Sequence, residues 1–212
     1  MRGPARRGAA CGRHRRREPP EWARRRRAPG YIASIRQSRT RGIAVIGYVD
    51  TGYAARPMGD VCGDIAAYAA ESPLDGIFLD QVSIAPSDQR YYAAAAGAIK
   101  AQSTGTLIVL NPGTPPPESS MTFADIVVTF ENTDDASIST YAAARWMRRY
   151  PPERFWHLIY GAPTTKAMRR AMTLSKRRRA GWVYVTPDTL PNPWSTLPAD
   201  PYWAEERAAL GG

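Results

Sequence analysis

Two acidic residues close apolar runs in this sequence: Asp80 ends GIFLD (76–80) and Glu131 ends DIVVTFE (125–131). A carboxylate at the end of a run that folding buries is costly unless it is paired or used. Two such groups are what hydrolysis of a glycosidic bond requires. One protonates the leaving oxygen, and the other attacks the anomeric carbon or activates water. The bland alternative is that each caps a neighbouring helix or pairs with an arginine. Polar and aromatic residues occupy similar places elsewhere: Tyr48 and Asp50, Gln81, Asn111 in the string Asn111-Pro112-Gly113, and Tyr160, with Tyr53 and Trp194 in adjoining loops. Aromatic faces stack on the apolar faces of sugar rings, and a phenol can orient a carboxylate. The same rings serve equally as rim packing. His157 lies inside an apolar run with no Ser or Cys partner in the local pattern, so it reads as a satisfied structural histidine. The sequence holds no nucleophile elbow, no HExxH and no glycine-rich phosphate loop. No metal site and no cofactor are predicted.

These residues need elements to hold them. Six short runs rich in Ile, Val, Leu and aromatics recur along the chain: Ile43–Val49, Gly76–Asp80, Thr106–Asn111, Asp125–Glu131, Trp156–Tyr160 and Trp182–Thr186. None alternates cleanly with polar residues, which suits parallel strands buried on both faces. Helical patterns lie between them. Val61, Ile65 and Tyr68 repeat at one turn with Asp60 placed to cap. Tyr91, Tyr92, Ala95 and Ile99 form a second stripe. Met168, Ala171, Met172 and Ser175 form a third, opposite a solvated side of Lys166, Arg169, Arg170 and Arg177, with Gly181 as terminator. Strand–helix alternation allows an open doubly wound sheet or a closed barrel. With no phosphate loop and with polar residues following the strands, the pattern favours the barrel, whose C-terminal mouth carries the chemistry.

The formal net charge of +10 divides unevenly: residues 1–41 hold 14 Arg against 2 Glu, leaving 15 Lys/Arg and 17 Asp/Glu for the rest. The basic character belongs to the start of the chain, and residues 1–29 read as a disordered Arg/Pro-rich tail. Such a tail can bind polyanions without specificity. The body offers no specific nucleic-acid surface, no membrane span and no apolar stretch of a signal peptide after the arginine runs. Cys11 and Cys62 make no metal-ligand pair by spacing, and Cys62 reads as a small core residue on a helix.

The strings GYVDTGY (47–53), DGIFLDQVS (75–83), VLNPGT (109–114), ADIVVTFE (124–131), RRYPPERFWHLIYG (148–161), WVYVT (182–186) and NPWSTLP (192–198), in that order, resemble the spherulation-specific family 4, or spherulin-4-like, proteins. The resemblance covers roughly residues 30–205. It implies a (β/α)8-type TIM barrel over residues 30–212, here incomplete, with about six parallel strands retained and the first two missing. It also implies an extracellular or cell-surface glycoside hydrolase that cuts an amino-sugar polysaccharide such as an α-1,4-linked galactosaminan. Asp80 and Glu131 fall on the family's essential acids. Where the related strand end carries a second carboxylate, this chain has Gln81, which can hydrogen-bond but cannot titrate.

The resulting expectation is an endo-acting, retaining hydrolase. Asp80 is the nucleophile or electrostatic stabiliser and Glu131 the general acid/base, with Tyr48, Asp50, Tyr53, Gln81, Asn111, Tyr160 and Trp194 binding the polysaccharide. The alternatives are a non-catalytic carbohydrate-binding or cell-surface protein on the same scaffold, and polyanion binding through the tail.

Overall fold

The computed structural model describes residues 29–71, 74–134 and 136–210. They form two compact units. One takes in the described residues up to Leu110 together with Thr122–Ala124. The other takes in Asn111–Met121 and the described residues from Asp125 onward. Strands and helices alternate through both, so the chain is α/β. The tail, and with it the polyanion-binding expectation, lies outside the described residues except for Pro29.

In the first unit α1 (Pro29–Thr40) precedes β1 (Ile46–Asp50), α2 (Met58–Glu71), β2 (Gly76–Asp80), α3 (Gln89–Gln102) and β3 (Leu107–Leu110). The strands pair in parallel, β1 with β2 and β2 with β3. Val61, Ile65 and Tyr68 are buried as their spacing predicts, and so are Tyr92, Ala95 and Ile99, whereas Tyr91 of the second stripe is only half-buried. Tyr68 also pins α2 to β1, because its hydroxyl accepts the Tyr48 N–H (3.1 Å) and donates to the Tyr48 carbonyl (3.0 Å). Gly47 leaves the room this needs: a Cβ there would lie 2.9 Å from the Tyr68 ring. Two expectations shift. The first strand begins at Ile46, not Ile43, which is exposed. Asp60 stands in the first turn of α2 rather than at its cap, where its charge still meets the positive end of the helix dipole. Cys62 is buried on α2, as expected of a small core residue.

In the second unit β4 (Ile126–Thr133), the short α4 (Ala136–Thr140), β5 (Phe155–Tyr160), α5 (Thr165–Arg177), β6 (Trp182–Val185) and α6 (Tyr202–Leu210) follow in turn. β4 pairs with β5 and β5 with β6, again in parallel, with an irregularity in β4 between Val128 and Phe130. The helix α5 starts on Thr164, whose hydroxyl accepts the Ala167 N–H at 3.1 Å. Its Met168, Ala171, Met172 and Ser175 are buried, while Lys166, Arg169, Arg170 and Arg177 are exposed, as the pattern predicts. Gly181 does not end that helix. Arg179 takes the left-handed turn at φ 73°, and Gly181 instead lets β6 approach the backbone of Pro152 and Glu153, where a Cβ would stand 2.6 Å away. No helix among the described residues is long and apolar enough to cross a membrane.

Two buried ionisable groups mark this second core. His157 is fully buried against the Phe130 and Tyr141 rings. Neither ring nitrogen has a hydrogen-bond partner among the described residues, so the expected satisfied histidine is buried but unsatisfied. Burial, and then the Arg178 charge, push its pKa down to about 3, which leaves it neutral. Glu206 on α6 is equally buried. Its Oε1 accepts the Val185 N–H at 2.8 Å and so ties α6 to β6, while Oε2 has no partner among the described residues. Burial raises its pKa from 4.5 to about 7.

Protonated Glu206 therefore stabilises the fold below its unfolded pKa, and that contribution is lost as pH rises through about 7. Thermal melts should fall by up to about 3 kcal/mol of stability between pH 5 and pH 8. The Glu206→Gln variant should lose most of that dependence.

Candidate functional site

The C-terminal ends of the strands carry a built polar cluster in each unit. In the first, the register pairs Tyr48 with Phe78 and Asp50 with Asp80, so these four side chains share one face. Tyr48 lies parallel to the Phe78 ring at 6.3 Å and reaches forward to donate its hydroxyl to Asp80 Oδ2 at 2.7 Å. The end of β2 thus presents a carboxylate that a phenol orients.

The loop after β1 is held in an unusual shape. Gly52, Tyr53 and Ala54 all have positive φ (54°, 54° and 69°), and Gln81 across from them has φ 51°. Left-handed backbone costs an L-residue with a side chain roughly 1–2 kcal/mol, so three such non-glycine residues require something to hold them. Asp50 Oδ1 accepts the Gly52 N–H at 2.7 Å, and the Gln81 carbonyl accepts the Tyr53 N–H at 2.7 Å. Thr51, fully buried, has its hydroxyl 2.8 Å from both the Asp80 and Gln81 carbonyls. Arg56 closes the loop. It donates to the Asp50 carbonyl and pairs with Asp64 at 2.8 Å, while its own carbonyl accepts the Tyr91 hydroxyl. Desolvation, led by burial, raises that phenol to about 12. The product is a fixed loop that leaves Tyr53 64% exposed beside Asp80 and Gln81. Asp50 spends one oxygen on the turn, so its role is at least partly structural.

In the second unit Glu131 sits inside β4 rather than at its end, because Asn132 and Thr133 continue the pairing with Ile159 and Tyr160. Both carboxylate oxygens are gripped. Asn111 Nδ2 donates to Oε2 at 2.6 Å, and Trp194 Nε1 donates to Oε1 at 3.0 Å. The Asn111-Pro112-Gly113 turn wraps this group: Asn111 Oδ1 accepts the Gly113 N–H at 3.0 Å, and the Gly113 carbonyl accepts the Glu131 N–H at 3.1 Å. The first of these bonds fixes which end of the Asn111 amide faces Glu131. Gly113 has φ +67°, a conformation that suits glycine. Trp194 packs edge-to-face on Tyr160 at 5.9 Å and tilts against Tyr184 at 6.0 Å.

The structure therefore brings Tyr48, Asp50, Tyr53, Asp80 and Gln81 together in one unit, and Asn111, Glu131, Tyr160 and Trp194 together in the other. Sequence reasoning missed Thr51, Arg56 and Tyr184. Arg56 lies outside the quoted strings and Thr51 is one unremarked letter of GYVDTGY, and only the fold shows what their polar atoms meet.

Residues 20–210 match spherulation-specific family 4. The chain belongs to that family. A family member, Spherulin-4 of Physarum polycephalum, is 35% identical over 122 residues, which cover 57% of this chain and 36% of that protein. The match therefore spans about a third of that family member's length. The solved structure of Aspergillus clavatus Sph3 in complex with GalNAc superposes with a TM-score of 0.71 at 23% identity, covering 87% of this chain and 79% of that one. At that identity the likeness speaks for the fold alone.

The left-handed Gln81 generates a stability prediction. Gln81→Gly should leave the denaturation midpoint level or higher, whereas Gln81→Val should cost about 1–2 kcal/mol, because a β-branched residue tolerates this backbone least. Urea unfolding of both variants checks it.

Proposed function

We propose that this protein hydrolyses glycosidic bonds in an amino-sugar polysaccharide, such as an α-1,4-linked galactosaminan, on a (β/α) barrel scaffold. Asp80 and Glu131 are the two carboxylates required. The observation that carries the reading is the grip on Glu131. A carboxylate on a strand of apolar residues is held by an amide and an indole N–H beside half-buried aromatic rings. A merely structural carboxylate would more simply pair with a cation. Family membership and the sugar, GalNAc, in the Sph3 complex support the same substrate class.

The chemistry follows from the contacts. Each Glu131 oxygen accepts a hydrogen bond, which suits the half of the cycle in which this carboxylate takes a proton from water. Asp80, oriented by the Tyr48 hydroxyl, is the group that attacks or stabilises the anomeric carbon. Tyr48 and Tyr53, both more than half exposed, offer ring faces for stacking. Gln81 supplies an amide for a hydroxyl or N-acetyl group, and Tyr160 and Trp194 border the sugar on the Glu131 side. Cleavage within the chain, retention of configuration and a place outside the cell or on its surface belong to the same proposal.

A second reading, carbohydrate binding without turnover, draws on one observation. Gln81 is an amide where the family resemblance leads one to expect a further acid.

Incubation of the protein with acetylated and de-N-acetylated galactosaminan should release oligosaccharides. Asp80→Asn and Glu131→Gln should each lower the rate about 10²–10⁴-fold and leave thermal stability within about 1 kcal/mol. Binding of the polymer with no products from the unsubstituted protein would favour the binding-only reading.

A further inference from the structure

The aromatic surface beside Glu131 does not stop at Trp194. In the second unit Glu131 pairs with Leu158, and Leu158 with Tyr184, so Glu131 and Tyr184 lie in one row on the same face of three strands. Strand spacing puts them roughly 10 Å apart. Trp194 bridges that interval: its indole N–H is on Glu131 and its ring is 6.0 Å from Tyr184. Tyr184 in turn meets Trp203, at the start of α6, with centroids 6.4 Å apart at 71°. The result is a chain of rings, Trp194–Tyr184–Trp203, leading away from the candidate carboxylate.

These rings are not core. The apolar cluster that holds β5, β6, α5 and α6 together is built from the opposite face, through residues such as Ile159, Val183, Val185 and Tyr202. Tyr160, Tyr184, Trp194 and Trp203 all stand outside it and are only half-buried. Their polar tips are unevenly used. The Tyr184 hydroxyl donates to the Thr196 carbonyl at 3.2 Å, and Thr196 in turn donates to Asp188 at 3.0 Å, which fixes the loop that presents Trp194. By contrast, the indole N–H of Trp203 and the hydroxyl of Tyr160 have no hydrogen-bond partner among the described residues. A half-buried indole ordinarily finds an acceptor. Ring faces flanked by free donors match a pyranose, which has apolar C–H faces and a rim of hydroxyls.

We propose that Tyr184 and Trp203 form an additional binding subsite for a further sugar unit of a saccharide chain whose reacting unit sits at Glu131. This inference rests on the function proposed above and adds to it. The ligand is an oligomer engaged over more than one ring, so affinity grows with chain length and depends on residues remote from the carboxylates. Trp203 is a specificity determinant for length, and it takes no part in bond cleavage.

The test measures affinity by isothermal titration for α-1,4-linked galactosamine and N-acetylgalactosamine oligomers of increasing length, using the full chain carrying Asp80→Asn to silence turnover. Affinity should rise with length. Added Tyr184→Ala or Trp203→Ala should flatten that rise, weakening the longest oligomer about tenfold and the shortest hardly at all. Trp203→Phe should restore most of it. If the alanine variant does not fold, Trp203→Leu keeps the volume without the aromatic face and should behave as alanine would. Length-dependent binding unchanged in both ring-deleted variants overturns the subsite and leaves the proposed function standing. Binding of short oligomers with no gain from length also overturns it. Failure of the full chain, with or without Asp80→Asn, to bind any oligomer overturns the function reading, and the subsite with it.

Discussion

Parallel strands satisfy their backbone only in register, and in this chain the register decides which side chains can meet. Pairing Ile46 with Gly76 carries Asp50 opposite Asp80 and Tyr48 opposite Phe78 four and two residues later. Pairing Phe130 with His157 after the irregularity in β4 turns Glu131 onto the face of Leu158 and Tyr184, and sends Phe130 and His157 into the core instead. A slip of one residue would exchange these faces and bury the carboxylate among methionines. Gly76 helps hold that register, since any Cβ there would press within 2.9 Å of Ile46 and Leu107. The candidate chemistry is thus a consequence of strand alignment before it is a property of any single residue.

A packed core leaves few places for polar groups. The buried exceptions are conspicuous: His157 in β5 is neutral, with no hydrogen-bond partner for its ring nitrogens among the described residues, and Glu206 on α6 keeps its proton far above the usual carboxylate range. Toward the C-terminal ends of the strands the polar groups are instead densely partnered. Asp80 has Tyr48, and Glu131 has Asn111 and Trp194. That contrast separates groups tolerated by the core from groups the proposed chemistry would use. It also explains why the left-handed residues gather at 52–54 and 81: there the loop carbonyls and amides turn inward to bind one another, and the side chain of Tyr53 is left outside.

Much of this was legible in the residue pattern. All six apolar runs form strands, and the helical stripes of α2, α3 and α5 bury the residues their spacing selects, apart from a half-buried Tyr91. These depend on local periodicity, which a sequence displays directly. The strand-end acids and aromatics were legible for a related reason, since a polar residue closing an apolar run stands out. Boundaries were less so: β1 starts three residues late, and β4 runs past Glu131 because pairing with β5 continues there.

What the sequence by itself determined is the order of elements, the faces they bury and the family to which the chain belongs. Tertiary structure alone decided the partnerships: the indole of Trp194 on a carboxylate 63 residues away, Arg56 bracing the loop of Tyr53, and Gly181 making room for β6 rather than ending a helix. The division has a physical cause. Periodicity is set by neighbours a few residues apart, whereas a hydrogen bond between distant loops exists only after the strands have aligned and brought its donor and acceptor within 3 Å.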